Sequence, residues 1–195
     1  MTTALQSPPV AKLLTYEAYM AEEENNLRYD IIDGERIFMP GATDEHQDVV
    51  FNIAAPFNRY ATETRRGRMR QAPRDVLITR IPLHTRQPDV YFISAERNAQ
   101  NPTRRDPAPL DLAPELIVKV ISDSERDRIL YAKIADYCAV GVREGWVVRP
   151  VPQTVEVLRL SVDGYESVRI YGAGETVQSI TFPDLFVAVD AVFAG

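Results

Sequence analysis

One cysteine, Cys138, stands in 195 residues. No disulfide can close within the chain, and a reducing cytoplasm is the expected compartment. Cys138 follows Tyr137 inside a helix-like stretch, where a cysteine acts as a small core residue rather than a nucleophile. Long apolar runs are also missing: none approaches the roughly 20 residues that span a bilayer. The opening MTTALQSPPVAKLL lacks the basic start and continuous apolar core of a secretory signal. Neither a membrane nor an organic cofactor is therefore an expected partner. Positive charge is in short supply, with 22 Lys and Arg against 28 Asp and Glu and a net charge of −6. Non-specific coating of nucleic acid draws on counterion release at many cationic side chains, and this balance argues against it. Local basic surfaces stay open at Arg65-Arg66-Gly67-Arg68-Met69-Arg70, between a helix and a strand, and at Arg104-Arg105, which reads as solvated loop charge.

What is present is ordinary for a globular chain: 45% hydrophobic and 26% charged residues, enough for one buried core. Residues 1–14 read as a loose arm, with Pro8-Pro9 blocking regular structure, and residues 15–195 as a single domain. Thr15 can cap a short helix over TYEAYMAEEE. RYDIID and ERIFMP flank Asp33-Gly34, a two-residue hairpin signal. Val49, Val50, Ile53, Phe57 and Tyr60 recur at helical spacing between Thr43 and Thr64, with a kink expected at Pro56. RDVLITRI and QPDVYFIS read as strands, and the polar, proline-rich stretch from Ala95 to Pro114 as an exposed loop. ELIVKVIS is a central strand by its β-branched, apolar content. Residues 124–140 form an amphipathic helix with Ile129, Leu130, Ile134, Tyr137 and Cys138 on one side, stopped by Gly141. REGWVVRP, TVEVLRLS, GYESVRIYG and ETVQSITF read as further strands, and DLFVAVDAVF as a closing helix or irregular packing. The fold class expected is α/β or α+β, a mixed sheet flanked by helices with added antiparallel hairpins.

Five side chains stand out chemically. Asp89 follows Pro88 and opens the apolar run VYFIS, which places a carboxylate at the start of a buried strand; such a group is costly without a partner. Lys119 shares a strand face with Glu115, Ile117 and Ile121 and needs an anion if the strand is central. Asp89 is the obvious one. Lys133 lies on the following helix, one turn before Tyr137. Asp30 sits on the first hairpin strand and His46 near the start of the long helix. Each has a plainer reading alone: a turn aspartate, a snorkelling or solvated lysine, a capping histidine.

The succession RYDIIDGERIFMPGATDEHQDVV, QPDVYFIS, PELIVKVIS, AKIADYCAVGVREGWVV, TVEVLRL and GETVQSITFPDLF resembles the Uma-two family of the PD-(D/E)XK nuclease superfamily, from about residue 15 to the end. The resemblance implies a restriction-endonuclease-like fold and Mg²⁺-dependent hydrolysis of DNA. Carboxylates would hold the ion and a lysine would steady the charge that develops on the phosphate. By position, Asp89 matches the metal-binding aspartate, Lys133 the lysine on the helix, and His46 the family's frequent histidine. Asp30 stands where glutamate is usual and would be a second metal ligand. Lys119 departs from the pattern. It occupies the place of the glutamate in the E-x-V strand motif, which changes the local charge by +2 and removes a ligand. Two readings follow: a metal-dependent endonuclease with Lys119 in the lysine's role, or a catalytically inactive nuclease fold that acts as a binding or interaction module. In the second, Lys119 neutralises Asp89 in the ion's stead. A homodimer formed edge to edge by the strand-rich second half is also expected.

Overall fold

The computed structural model describes residues 13–22, 27–39, 41–101, 109–121 and 127–195. Helix α1 (Tyr16–Met20) starts where Thr15 accepts the Ala18 N–H at 3.2 Å. Strands β1 (Tyr29–Ile32) and β2 (Glu35–Phe38) form the expected hairpin, Ile32 facing Glu35. Asp33 and Gly34 turn it at φ of 50° and 83°, the left-handed pair that a tight type I′ connection requires. Helix α2 (Asp44–Thr64) is capped by Thr43, carries Asp44 and Glu45 in its first turn and runs through Pro56 as one element. Its Val49, Ile53, Phe57 and Tyr60 are buried as the spacing requires.

The remaining elements are β3 (Gly67–Gln71), β4 (Val76–Thr79), β5 (His84–Arg86), β6 (Val90–Ser94), α3 (Ala95–Gln100), β7 (Leu116–Val120), α4 (Asp127–Ala139), β8 (Glu144–Arg149), β9 (Thr154–Ser161), β10 (Gly164–Tyr171), β11 (Thr176–Gln178), β12 (Phe186–Ala188) and α5 (Val189–Val192). A six-stranded sheet has the order β10-β9-β8-β7-β6-β3, and a four-stranded one β2-β1-β5-β4. Only β7 and β8 run parallel in the larger sheet, joined through α4; its other pairs are antiparallel. One face packs on α2, where Phe57 meets Trp146 edge-on at 5.1 Å. The other packs on α4 through Leu130, Ile134 and Tyr137. This is the mixed, helix-flanked sheet with antiparallel hairpins that the sequence implies.

Several expectations change. The basic run is not a connection: Arg65 ends α2 at φ 57°, and Arg68 and Arg70 lie on the edge strand β3. Gly67 lets that strand close on β6, because a Cβ there would meet Ile93 O and the Phe92 ring at 2.4 Å. The three residues of β5 carry no alternation that a sequence could reveal. Within the stretch read as loop, Ser94 caps α3 by accepting the Arg97 N–H, and Leu110 is buried, bridging to Val76. Ile129 is exposed, since α4 turns the Leu130–Ile134–Tyr137 stripe to the sheet. Leu14 is held rather than loose: its N–H donates to Gly34 O at 2.8 Å and its side chain packs against the cluster of Tyr29, Ile31, Leu77 and Leu83. Residues 1–12 of the expected arm, and Arg104-Arg105, lie outside the described residues. Gly141, at φ 88°, does stop α4, with Val142 N–H donating to Tyr137 O and Gly141 N–H to Cys138 O, the Schellman pattern. The closing segment is strand β12 followed by α5. No described helix is long and apolar enough to cross a membrane.

Candidate functional site

The chain leaves the four-stranded sheet at Arg86 and enters the six-stranded one at Val90. Asp89 sits at that passage. Its N–H donates to Val118 O at 3.1 Å, which locks its backbone to the central strand β7. The side chain, 1% exposed, accepts from Lys119 Nζ and from the Val120 N–H, both 2.8 Å from Oδ2. Arg28 donates to Oδ1 at 2.6 Å. Burial by itself raises the Asp89 carboxyl, but the charge and hydrogen bond of Lys119 above all offset it, and the group is held below the usual carboxylate range. His46 Nε2 stands 3.6 Å from Oδ1, too far for a hydrogen bond. Burial lowers the imidazole's pKa despite the pull of Asp89, so His46 is neutral at pH 7 and adds no ion pair.

A second carboxylate lies beside the first. Asp30, at the middle of β1, accepts from Arg86 Nη1 at 2.9 Å and from the Gln87 N–H at 3.2 Å. Lys133 Nζ, from α4, approaches its Oδ2 at 3.5 Å. Arg86 also donates through Nε to Asp136 at 2.7 Å, and His84 Nε2 meets the same oxygen at 3.1 Å. Tyr137, fully buried one turn after Lys133, has its phenol pushed well up by burial and by the charges of Asp30 and Asp89. All five residues singled out in the sequence therefore converge, as Asp89 with Lys119 and His46, and Asp30 with Lys133.

Sequence reasoning missed Arg28, Arg86, Asp136, His84 and Tyr137 as members of this cluster. Arg28 and Arg86 gave a local signal, since each lies two or three residues before one of the aspartates. Asp136 and His84 gave none, being brought in only by the docking of α4 on β5. Glu115, on the Lys119 face of β7, turns away: it accepts the Ser94 N–H at 2.9 Å and pairs with Arg97 at 3.3 Å. Glu144 was also missed. It is entirely buried and accepts from Trp146 Nε1, Ser179 Oγ and the N–H groups of Ile180 and Thr181, a structural clamp at the far end of β8.

Does this donor set suit a divalent cation? Each oxygen of Asp89 and of Asp30 already accepts a hydrogen bond. Arg28, Arg86, Lys119 and Lys133 outnumber Asp30, Asp89 and Asp136. Among the described residues, no group of three or more His, Cys, Asp or Glu side chains could hold a metal ion. A magnesium ion takes one or two carboxylates plus water and phosphate, and here an ammonium sits where it would need to be. The residues do not fit the ion.

On the α1 side of the four-stranded sheet, the Tyr19 hydroxyl donates to Asp75. Burial raises the Asp75 carboxyl and outweighs the hydrogen bonds of Tyr19 and Gln87, which pull it down. A folded-state pKa above the unfolded one means stability that is full at low pH and declines as pH rises from the unfolded pKa through the folded one. The Asp75→Asn variant removes this cost, so its urea midpoint exceeds the native one by more at pH 7 than at pH 4. An equal difference at both would refute the assignment.

The mixed, helix-flanked sheet with its antiparallel hairpins is the restriction-endonuclease-like fold. The chain belongs to the Uma2 family, described as "putative restriction endonuclease", whose profile matches residues 12–190. It is also similar in structure to a putative nuclease belonging to DUF820 from Anabaena variabilis ATCC 29413. That likeness has a TM-score of 0.72 at 18% identity and covers 92% of this chain and 97% of the other. No curated protein matches the chain.

Proposed function

We propose that this chain keeps the restriction-endonuclease-like fold but has exchanged metal-dependent phosphodiester cleavage for a binding role. One observation carries the reading: Lys119 Nζ lies 2.8 Å from Asp89 Oδ2, where a nuclease of this type would need a cation held by carboxylates. The ammonium supplies the neutralising charge without supplying a Lewis acid or an activated water. DNA is the partner to test first, given the family. A cytoplasmic location agrees with a lone thiol that is buried and whose pKa burial raises.

The second reading retains cleavage, with Asp89 and Asp30 as ligands and Lys119 acting on the phosphate. It draws support from Lys133 and Asp30 lying together at 3.5 Å. Calorimetric titration with Mn²⁺, together with plasmid cleavage, separates the two for the native chain, Lys119→Glu and Asp89→Ala. The proposal expects no Mn²⁺ heat and no nicking by the native chain, and a gain of Mn²⁺ affinity in Lys119→Glu. Native cleavage that Asp89→Ala abolishes would overturn it. DNA binding without metal, followed by fluorescence anisotropy, tests the positive half.

A further inference from the structure

Among the described residues, β10 is the longest strand at a sheet edge. It spans eight residues at the rim of the six-stranded sheet, and the six between its ends are exposed. An open edge presents unpaired N–H and C=O groups and is a ready template for another strand. Its apolar side chains Tyr165, Val168 and Ile170 are 44%, 39% and 58% exposed.

The register decides what can pair with it. Against β9, Tyr165 faces Leu160 and Glu166 faces Arg159; after a bulge between Ser167 and Arg169, Arg169 faces Val157 and Ile170 faces Glu156. Alternate residues of β9 point to opposite faces. Leu160 and Glu156 share one face, and Arg159 and Val157 the other. The bulge thus puts Tyr165 and Ile170 together on the α4 side, where Tyr165 stacks on Tyr131 at 5.4 Å. It puts Glu166 and Arg169 together on the α2 side. A regular strand, with residues five apart on opposite faces, could not place Tyr165 and Ile170 so.

This arrangement is self-complementary. A two-fold axis through the centre of β10, between Ser167 and Val168, sets Tyr165 opposite Ile170 of a second copy on one face and Glu166 opposite Arg169 of that copy on the other. Aromatic–aliphatic and opposite-charge pairs are the cross-strand combinations that stabilise an antiparallel ladder. The other edges of the two larger sheets lack this match. β3 brings Arg68 and Arg70, charges of one sign, to its own copy. β2 has four residues, and its Arg36 is engaged by Glu22. β4 is bridged by Leu110. We propose that β10 pairs antiparallel with β10 of a second copy, joining the two six-stranded sheets into one continuous sheet across a two-fold axis.

Glu166 and Arg169 hold Arg159 and Glu175 at 2.8 and 2.5 Å within the chain. These exposed pairs contribute little by themselves and can share their charges with the second copy.

Sedimentation of the full chain at micromolar concentration tests the proposal. The expected mass is twice the 22.0 kDa of one chain. Ile170→Lys and Arg169→Glu, at exposed positions, each raise the dissociation constant by at least about tenfold. Adding Glu166→Arg to Arg169→Glu restores most of the loss. Amide exchange gives a second readout, with concentration-dependent protection confined to residues 164–171. A native chain that sediments as a monomer overturns the proposal. So does a dimer indifferent to both single substitutions, or one whose protection falls elsewhere.

Discussion

Replacing Lys119 with methionine lowers the stability of this protein by about 3 kcal/mol, the low end of the cost of removing one member of a buried ion pair. The methionine fills the space of the lysine stem, so the loss is one of charge and not of volume. What remains is Asp89, 1% exposed, with Arg28 and the Val120 N–H but without the ammonium that does most to offset its burial. Those surviving partners set the low end. At about 2–4 °C per kcal/mol for a chain of this size, the melting temperature falls by roughly 10 °C. The pH dependence has a definite sign. In the native chain the folded pKa of Asp89 is depressed, so its contribution is present above the unfolded carboxylate pKa and lost as pH falls through the folded value. Without Lys119 the folded value rises, and acid unfolding moves to higher pH. The double variant Asp89→Asn/Lys119→Met recovers most of the loss, because an amide oxygen still accepts the Val120 N–H and the one charge left, Arg28, has its side chain 22% exposed and reaches water. A single variant as stable as the native chain, or a double variant no better than the single, would show that the pair is not what holds Asp89.

Arg86→Met has an effect at least as large. Arg86 bridges two carboxylates, Asp30 through Nη1 and Asp136 through Nε. It also joins the four-stranded sheet to α4. Its removal leaves Asp30 with the Gln87 N–H and a Lys133 ammonium at 3.5 Å, and Asp136 with His84. A loss of about 3–5 kcal/mol is expected, read as a fall in the urea midpoint with little change in slope. Arg86→Lys recovers only part of it, since an ammonium is a point donor and cannot reproduce the planar fork that reaches both acids. Full recovery with lysine would mean that charge alone matters and that the bridging geometry does not.

The reach of the sequence differed along the chain for identifiable reasons. The Asp33-Gly34 hairpin, the Thr15 cap, the stripe of α2 and the buried run of β7 were all readable, because each is dictated by local backbone chemistry or by periodicity within one element. The short strand β5 and the edge strand β3 were not. Three residues show no period, and an arginine-rich strand becomes a strand only because β6 offers it a partner. Ile129 was misassigned because a helix stripe can be read one position too wide when the direction of the facing sheet is unknown. Leu14 was read with the loose arm because nothing local marks its bond to Gly34.

The same division runs through the site. The sequence by itself determined the five side chains Asp30, His46, Asp89, Lys119 and Lys133, and the substitution at position 119 that separates this chain from the pattern it resembles. It could not determine their partners, because a charge finds its partner across space and not along the chain. Only the tertiary structure decided that Lys119 turns onto Asp89, that Arg28 and Arg86 saturate both aspartates, and that Glu115 faces Arg97. Those contacts come from the packing of α4 and two sheets around a buried centre. A buried charge there has to be met by whichever opposite charge the fold brings within about 3–4 Å.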